Sequence, residues 1–439
     1  MIEALRNAFK LPDLRRRMLY TLLILVVFRM LSNIPVPGVD RQALSAVFSS
    51  ASASAASQFA GLLDLLSGGA VSKFSILAAG VYPYVTAQIV VQLLIPMFPK
   101  LEKQIQEEGE GGQRKMNQWV FYLTVPLAAL YAFGQAQLFQ AAAVASRPIL
   151  PNFGWGPGKA LPTITVLLTM TAGTMLAVWL GELITEQGVG NGLSLIIFGG
   201  IVSRVPANVR RIAETDKWLG VVIFLIITAL TILFIVFVQE GERRIKVQYG
   251  KRVRGMKVYG GGSTYVPLKI NTAGMIPLIF AQSILAFPAV IAQFFLSSTS
   301  PGVKSIAEGA VNFFSGSNPW YAPVYFLAVA GFTYFYTFVM VEQQNLAETL
   351  QKQGGFIPGV RPGRRTEEFI LGIYKRITLV GALFLGLVAV MPYIVGLFMT
   401  SNTMLIQSSG LLIVVGTVMD TMRQLESQLL MRNYEGFLR

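Results

Sequence analysis

The chain has 439 residues, of which 53% are hydrophobic and 13% are charged, and its net charge is +14. A soluble protein typically carries about 25% charged residues, so this composition excludes a string of soluble domains and indicates a membrane protein. The chain has no Cys and no His. Disulfide scaffolds, thiolate nucleophiles and Cys-ligated metals are therefore excluded, and the commonest general base is missing. We expect no enzyme activity, no metal site and no cofactor.

Ten apolar runs reach or approach the length of about 20 residues that a helix needs to cross a bilayer. In chain order they are 19–34, 74–98, 119–138, 161–180, 193–202, 218–238, 273–296, 320–341, 377–399 and 404–419. The fifth run is too short to cross alone in contact with lipid and the tenth is marginal, so both are expected to pack inside a bundle. The sequence thus predicts an all-α polytopic membrane protein with ten transmembrane helices.

Lys and Arg are distributed unevenly among the segments that join these runs. If both termini are cytoplasmic, the cytoplasmic segments hold 26 of the 36 basic residues and the outer segments hold nine. Because cytoplasmic segments are enriched in Lys and Arg, this bias predicts that the N and C termini are cytoplasmic. One outer segment, 204–217, goes against the bias with four basic residues.

A short pattern of Gly, Pro, Ala and Gln recurs at identical offsets in the second and seventh runs, 194 residues apart. The matched residues are Gly80, Pro83, Ala87 and Gln88, and Gly274, Pro277, Ala281 and Gln282. Copies that lie five spans apart cross the membrane in opposite directions, which is typical of an inverted-topology repeat; coincidence in an Ala- and Gly-rich chain is the alternative. We predict an N-terminal half, 1–205, an external hinge, 206–217, and a C-terminal half, 218–439.

The spans contain none of the chemistry of active transport. None of the 22 acidic residues lies in any of the ten runs, whereas ion-coupled carriers keep acids at mid-membrane in spite of their cost. The nucleotide-binding pattern G-x-x-x-x-G-K-[ST] is also absent. This combination favours a passive conduit that another protein drives. An inverted-repeat secondary transporter of a small solute is the alternative.

Two basic segments are expected to project into the cytoplasm. Residues 239–272 hold eight basic residues interleaved with apolar ones, an alternation that is typical of a short β-hairpin. Residues 342–376 contain a Gly- and Pro-rich turn that places Arg361 at a rigid tip. Surfaces of this kind suit nucleic acid or an acidic protein face.

Two Gly-containing segments have their own interpretations. Residues 59–69 combine two apolar helical turns with a Ser-Gly-Gly end, which indicates either a short interfacial helix or a re-entrant piece inside the bundle. The segment 188–192 has three glycines but lacks the preceding strand of a nucleotide-binding loop. It is predicted to be a tight turn that opens the fifth run.

Several motifs together resemble the SecY family, and the resemblance covers essentially the whole chain. They are Ile34-Pro35-Val36-Pro37-Gly38, Ser67-Gly68-Gly69-Ala70, Pro83-Tyr84, Gly181-Glu182 with Gly190-Asn191-Gly192, Gly359-Val360-Arg361-Pro362-Gly363, and the pair Arg243 and Arg244. The resemblance implies a multi-pass channel of the cytoplasmic membrane. It would pass unfolded secretory polypeptides and release hydrophobic segments into lipid, driven by an external motor ATPase or the ribosome. The implied partners are SecE, SecG, SecA, the ribosome, signal sequences and unfolded preproteins.

The resemblance also implies roles for individual residues. The implied pore ring is Val81, Val85, Leu193, Ile197, Ile279 and Ile413. The implied plug, within about 59–69, includes Leu62, Leu63, Asp64, Leu65 and Leu66. The second and seventh runs would form a lateral gate, with Thr86, Gln88, Gln92 and Gln282. The surface that docks the motor or the ribosome would include Arg243, Arg244, Lys246, Lys251, Arg252 and Arg361.

Overall fold

The computed structural model describes residues 11–44, 69–98, 110–141, 148–154, 156–249, 252–254, 257–259, 262–274, 276–295, 300–314, 318–344, 346–398 and 408–437. The helices are α1 (Pro12–Leu31), α2 (Tyr82–Met97), α3 (Glu110–Ala141), α4 (Ala160–Gln187), α5 (Gly192–Val202), α6 (Val205–Glu240), α7 (Ile276–Phe295), α8 (Pro301–Phe314), α9 (Tyr321–Gln344), α10 (Leu346–Lys352), α11 (Arg364–Phe398) and α12 (Ser408–Phe437). The strands are β1 (Glu242–Tyr249), β2 (Arg252–Arg254), β3 (Lys257–Tyr259), β4 (Ser263–Lys269) and β5 (Gly355–Phe356).

Long apolar helices dominate the chain. Over the described ranges, six helical stretches are long and apolar enough to cross a membrane. They are Gly111–Gln137, Ala160–Gln187, Gly192–Glu214, Trp218–Glu240, Tyr321–Lys352 and Arg364–Met391. Each of the four remaining predicted spans overlaps a helix, namely α1, α2, α7 or α12. The fold is therefore that of a helical, multi-pass membrane protein with a small β-structured insertion.

Backbone contacts divide the chain into two compact units. The first unit contains Met1–Val221, Ile284–Tyr321 and Ile413–Arg439. The second contains Val222–Ser283 and Ala322–Leu412. Each unit thus combines segments that are separated from one another in the sequence.

The second apolar run is helical only from Tyr82, so the expectation of a helix from residue 74 was wrong for its first eight residues. Residues 69–81 form a series of turns instead. The amide of Val36 donates to the carbonyl of Phe74 at 2.9 Å, and the amide of Ile76 donates to the carbonyl of Ile34 at 3.0 Å. These two bonds form a bridge that satisfies backbone groups outside any helix.

The two copies of the sequence repeat have the same local geometry. Gly80 has φ of 57° and Gly274 has φ of 65°, a left-handed conformation that glycine adopts without steric cost. The helices then begin at Tyr82 and at Ile276, again 194 residues apart. In each copy Pro occupies the second helical position, where its missing amide hydrogen costs no helical hydrogen bond.

The expected turn before the fifth run is confirmed. α5 begins at Gly192 and ends at Val202, and the side chain of Asn191 caps it by accepting a hydrogen bond from the amide of Ser194 at 3.1 Å. By contrast, the outer segment 204–217 is helical from Val205, because α6 runs without interruption from Val205 to Glu240.

α4 and α5 approach each other so closely that their backbones touch. A Cβ added to Gly192 would overlap the carbonyl oxygen of Gly181 and lie 2.8 Å from Cβ of Ile184. Residue 192 must therefore be glycine, because any larger side chain would push α5 away from α4.

We predict that Gly192→Ala lowers the thermal unfolding midpoint of the purified protein in detergent. Forcing a methyl group into a packed contact costs about 1–3 kcal/mol, and here the obstacle is backbone. The control is Gly372→Ala on α11, where an added Cβ meets nothing within 4 Å and Ala is the better helix former by about 1 kcal/mol. Equal midpoints for the two variants would contradict this account of the α4–α5 contact.

Candidate functional site

Non-helical backbone lies against the middle of a spanning helix. Gly173 is near the midpoint of α4, and a Cβ added there would overlap the carbonyl oxygen of Ile76. Ten of the 13 residues in 69–81 are buried, with Phe74, Ser75 and Leu77 at 0% exposure. Irregular backbone at membrane depth is tolerated only where protein or a water-filled cavity surrounds it. The site is therefore built around residues 69–81.

Three of the six residues predicted for the pore ring pack in one hydrophobic cluster. Val81, at the end of the irregular segment, is buried, and Leu193 and Ile197 on α5 are half-buried. The same cluster contains Ile24 and Phe28 of α1. The fold thus brings together residues that are more than 100 positions apart in the sequence.

The other three predicted ring residues lie elsewhere on the helices. Val85 is half-buried in the first turn of α2. Ile279, near the start of α7 in the second unit, is 7% exposed, and Ile413 on α12 is 1% exposed. All six side chains are aliphatic and none is fully exposed.

Gly181 fixes the position of Leu193. A Cβ added to Gly181 would lie 2.9 Å from Cδ2 of Leu193 and 3.3 Å from its backbone nitrogen. The side chain of Leu193 therefore rests on the bare backbone of α4. The motif Gly181-Glu182 does not by itself predict this contact with Leu193.

Hydrogen bonds from Arg204 and Ser72 hold the start of the non-helical segment 69–81. The guanidinium of Arg204 donates from Nη2 to Oγ of Ser72 at 2.8 Å, and Oγ of Ser72 donates to the carbonyl of Gly69 at 3.1 Å. A Cβ added to Gly69 would lie 2.7 Å from Nη2 of Arg204. Arg204 is one of the four basic residues that oppose the charge bias, and this contact gives it a structural role. The predicted plug residues Leu62, Leu63, Asp64, Leu65 and Leu66 lie outside the described residues.

The residues predicted for the lateral gate are half-buried on two helices. α2 carries Thr86, Gln88 and Gln92, and α7 carries Gln282. The hydroxyl of Thr86 donates to the carbonyl of Tyr82 at 3.0 Å. Throughout the described part of the chain, the buried polar side chains are Thr, Ser, Asn and Gln, and no charged side chain is buried.

The two basic segments form one folded unit, which we call the basic module (242–269 with 341–374). The predicted hairpin is confirmed: β1 pairs antiparallel with β4 from Glu242–Lys269 to Gln248–Ser263. β5, from the second basic segment, pairs with the other edge of β1 through Gln248–Phe356 and Tyr249–Gly355. The sequence contains no signal for the pairing of the two segments, because a two-residue strand has no detectable period.

A single hydrophobic core lies under the sheet of the basic module. Its buried members are Ile245, Val247, Leu268, Val341, Leu350, Ile357, Ile370 and Tyr374. They come from both basic segments and from the adjoining ends of α9 and α11. The position of the Arg361 tip therefore depends on the β1–β4 hairpin.

The predicted docking residues lie on the outside of this module. Arg243, Lys246 and Arg361 are exposed, and the carbonyl of Arg361 accepts a hydrogen bond from the buried hydroxyl of Thr366 at 2.9 Å. Nε of Arg244 lies 2.6 Å from Oε1 of Glu242, an exposed ion pair that contributes little stability. Arg252 is on β2, which pairs with β3, and Lys251 lies outside the described residues.

Comparison with known proteins gives a consistent result. The sequence profile of the SecY family matches residues 75–422. Proteins named protein translocase subunit SecY from Streptomyces galbus and Halalkalibacterium halodurans are 40% and 41% identical to the chain, with full coverage of both sequences. The protein of the same name from Thermotoga maritima is 41% identical, over all of this chain and 98% of its own length.

Solved structures with the same fold are more distant in sequence. A structure described as that of a protein-conducting channel has a TM-score of 0.62 and 18% identity, and it covers 94% of this chain and 91% of its own. Sec61 in the canine ribosome–channel complex has a TM-score of 0.58 and 17% identity, with the same coverage. Both show likeness of fold across almost the whole chain.

We predict that Leu268→Ala, in β4, loosens the distant Arg361 tip. Removing a fully buried Leu side chain costs about 2–5 kcal/mol, and Leu268 packs in the core shared by both basic segments. Amide hydrogen exchange should become faster in peptides covering residues 355–363. Thr264→Ala, at an exposed position of the same strand, should leave that exchange unchanged. If Leu268→Ala affects only the hairpin, the basic module is not one cooperative unit.

Proposed function

The chain belongs to the SecY family of protein-conducting channel subunits, and we propose that it passes unfolded secretory polypeptides through an aliphatic constriction in its helical bundle. It is a multi-pass protein of the cytoplasmic membrane and not an enzyme. The observation that carries the proposed constriction is the packing of Val81, Leu193 and Ile197 in one cluster. That cluster adjoins the non-helical segment 69–81, which packs against the middle of the spanning helix α4.

Aliphatic side chains suit this task. They offer neither charge nor hydrogen bonds to a passing polypeptide, so they can close around any sequence without binding it. A narrow apolar constriction also loses its water, which opposes the leakage of ions. We propose that Val85, Ile279 and Ile413 complete the ring; Val85 and Ile279 occupy equivalent positions in the sequence repeat, as a pseudo-symmetric pore requires.

The same repeat supports the proposed topology. We propose ten spans with cytoplasmic termini, arranged as an inverted pair of halves, 1–205 and 218–439. The proposed hinge between them, 206–217, falls on the N-terminal part of the continuous helix α6. Left-handed φ values at both Gly80 and Gly274, and helices that start at the same offset from them, support a common ancestry for α2 and α7. Inverted repeats with helices interrupted by Gly and Pro are typical of membrane pathways.

We further propose that α2 and α7 are the two helices of a lateral gate, with Thr86, Gln88, Gln92 and Gln282 on them. A signal sequence that partitions toward lipid would favour the open state. It would do so only by its difference in affinity for the two states, since a ligand shifts an equilibrium by no more than that difference. The segment around 59–69 would act as the plug, with Arg204 and Ser72 anchoring its C-terminal end.

The basic module is the proposed docking surface for the driving partner. Its exposed Arg243, Lys246 and Arg361 suit ribosomal RNA or the acidic face of a motor ATPase of the SecA type. Structural relatives described as ribosome-bound Sec61 and Ssh1 channels support the ribosome as a partner. SecE and SecG are the expected membrane partners, from the family resemblance.

We predict that Leu193→Ala combined with Ile197→Ala raises the resting ion conductance of the channel in planar bilayers. Shortening both side chains widens the constriction and lets water and ions enter, while Ala preserves the helix. The control is Leu193→Ile with Ile197→Leu, which keeps the volume of the pair and should conduct like the unmodified protein. Unchanged conductance in the double Ala variant would remove both residues from the ring.

A further inference from the structure

α8 is an amphipathic helix that the sequence analysis did not predict. It has 14 residues, too few to cross a bilayer, which needs about 20. Ala307 and Val311 are buried, and they pack against Ala292 of α7 together with the half-buried Ala310. Three other apolar side chains on α8 are exposed: Val303 at 41%, Ile306 at 76% and Phe313 at 39%.

The residues of α8 fall into three sectors around the helix. At 3.6 residues per turn, Ile306, Phe313 and Val303 lie within an arc of about 80°. This exposed apolar strip adjoins the sector of Ala307 and Val311 that contacts α7. Lys304, Ser305 and Glu308 occupy the opposite side. A helix with one face on protein, one apolar face uncovered and one polar face has the pattern of a helix lying in a membrane interface.

The segments that join α8 to α7 and to α9 keep α8 close to the end of α7 and to the start of α9. Ala292 is three residues before the end of α7, or about 4.5 Å along the helix axis. The six residue steps from Phe295 to Pro301 reach at most about 20 Å. α9 follows at Tyr321, in a stretch apolar enough to cross the membrane. Trp320, directly before it, is 69% exposed, as is typical at a membrane–water interface.

We propose that the exposed strip of α8, Val303, Ile306 and Phe313, is covered by lipid, and that α8 lies in the membrane interface and anchors the adjacent end of α7 there. α7 also exposes large apolar side chains, at Ile284 and Phe295. α8 contains one basic and one acidic residue, Lys304 and Glu308, so it carries no net charge. Its binding therefore depends on apolar burial and not on anionic headgroups. The proposal rests on the multi-pass fold and is independent of what the channel conducts.

The test uses spin labels attached to single cysteines, because the natural chain has no Cys. Full-length Ile306→Cys is labelled with a nitroxide and reconstituted into vesicles of zwitterionic lipid. We expect the label to be accessible to oxygen and protected from a water-soluble nickel complex, at a depth of about 5–10 Å below the headgroups. Labels at Ser305→Cys and Glu308→Cys, on the polar side of α8, should be accessible to the nickel complex.

Three outcomes of the accessibility measurement would contradict the proposal. If the label at 306 is as accessible to the nickel complex as the labels at 305 and 308, the strip faces water and the proposal fails. If the label at 306 is protected from both oxygen and nickel, a protein covers the strip, either a second copy or another subunit, and the lipid assignment is wrong. The depth should also stay the same when anionic lipid or salt is added; a depth that depends on either would overturn the claim that burial alone holds the helix.

Discussion

Backbone amides and carbonyls at membrane depth must find hydrogen-bond partners inside the protein, and this constraint governs how residues 69–81 are built. The amides of Val36 and Ile76 close a bridge with the carbonyls of Phe74 and Ile34, in place of a helix. Glycine at position 173 lets the Ile76 carbonyl reach the backbone of α4. At the end of this segment, Val81 packs in the aliphatic cluster that includes Leu193 and Ile197 of α5. The proposed constriction thus depends on a solution to a hydrogen-bonding problem that most membrane proteins avoid by remaining helical.

Close backbone contacts between α4 and α5 are a second constraint on the structure. α5 is only 11 residues long, and Gly192 and Gly181 let it lie directly on α4. That contact seats Leu193 on the backbone of α4. Small residues that allow helices to approach closely are typical of membrane interfaces, where the hydrophobic effect does not drive helices together. Leu193 makes no polar contacts through its side chain, so close packing on the backbone of α4 is what positions it in the proposed constriction.

The sequence predicted what depends on composition, period or local signals. The apolar runs fall largely on helices, the predicted boundaries of α5 agree with the structure to within one residue, and the alternating segment 239–272 contains the β1–β4 hairpin.

The features that the sequence did not predict have a common physical cause, because each of them depends on a partner that is distant in the chain. Residues 74–76 pair with residues 34–36 and are therefore not part of α2. β5 has two residues and exists only because β1 offers it an edge. The Arg204–Ser72 contact joins residues 132 positions apart, and the only trace of it in the sequence was an outer basic residue against the charge bias. The inverted halves, the gate and the full ring stay predictions.

This helical bundle conducts polypeptide and does not carry a small solute. None of the 22 acidic residues lies in any of the ten apolar runs, whereas ion-coupled transport normally uses an acid at mid-membrane. The most direct measurement is reconstitution of the purified protein, with its expected membrane partners, into sealed vesicles that receive an unfolded preprotein, a SecA-type motor and ATP. The account predicts that the preprotein becomes protected from added protease only when protein, motor and ATP are all present. Saturable uptake of a small solute without the motor, together with no protection of the preprotein, would contradict it.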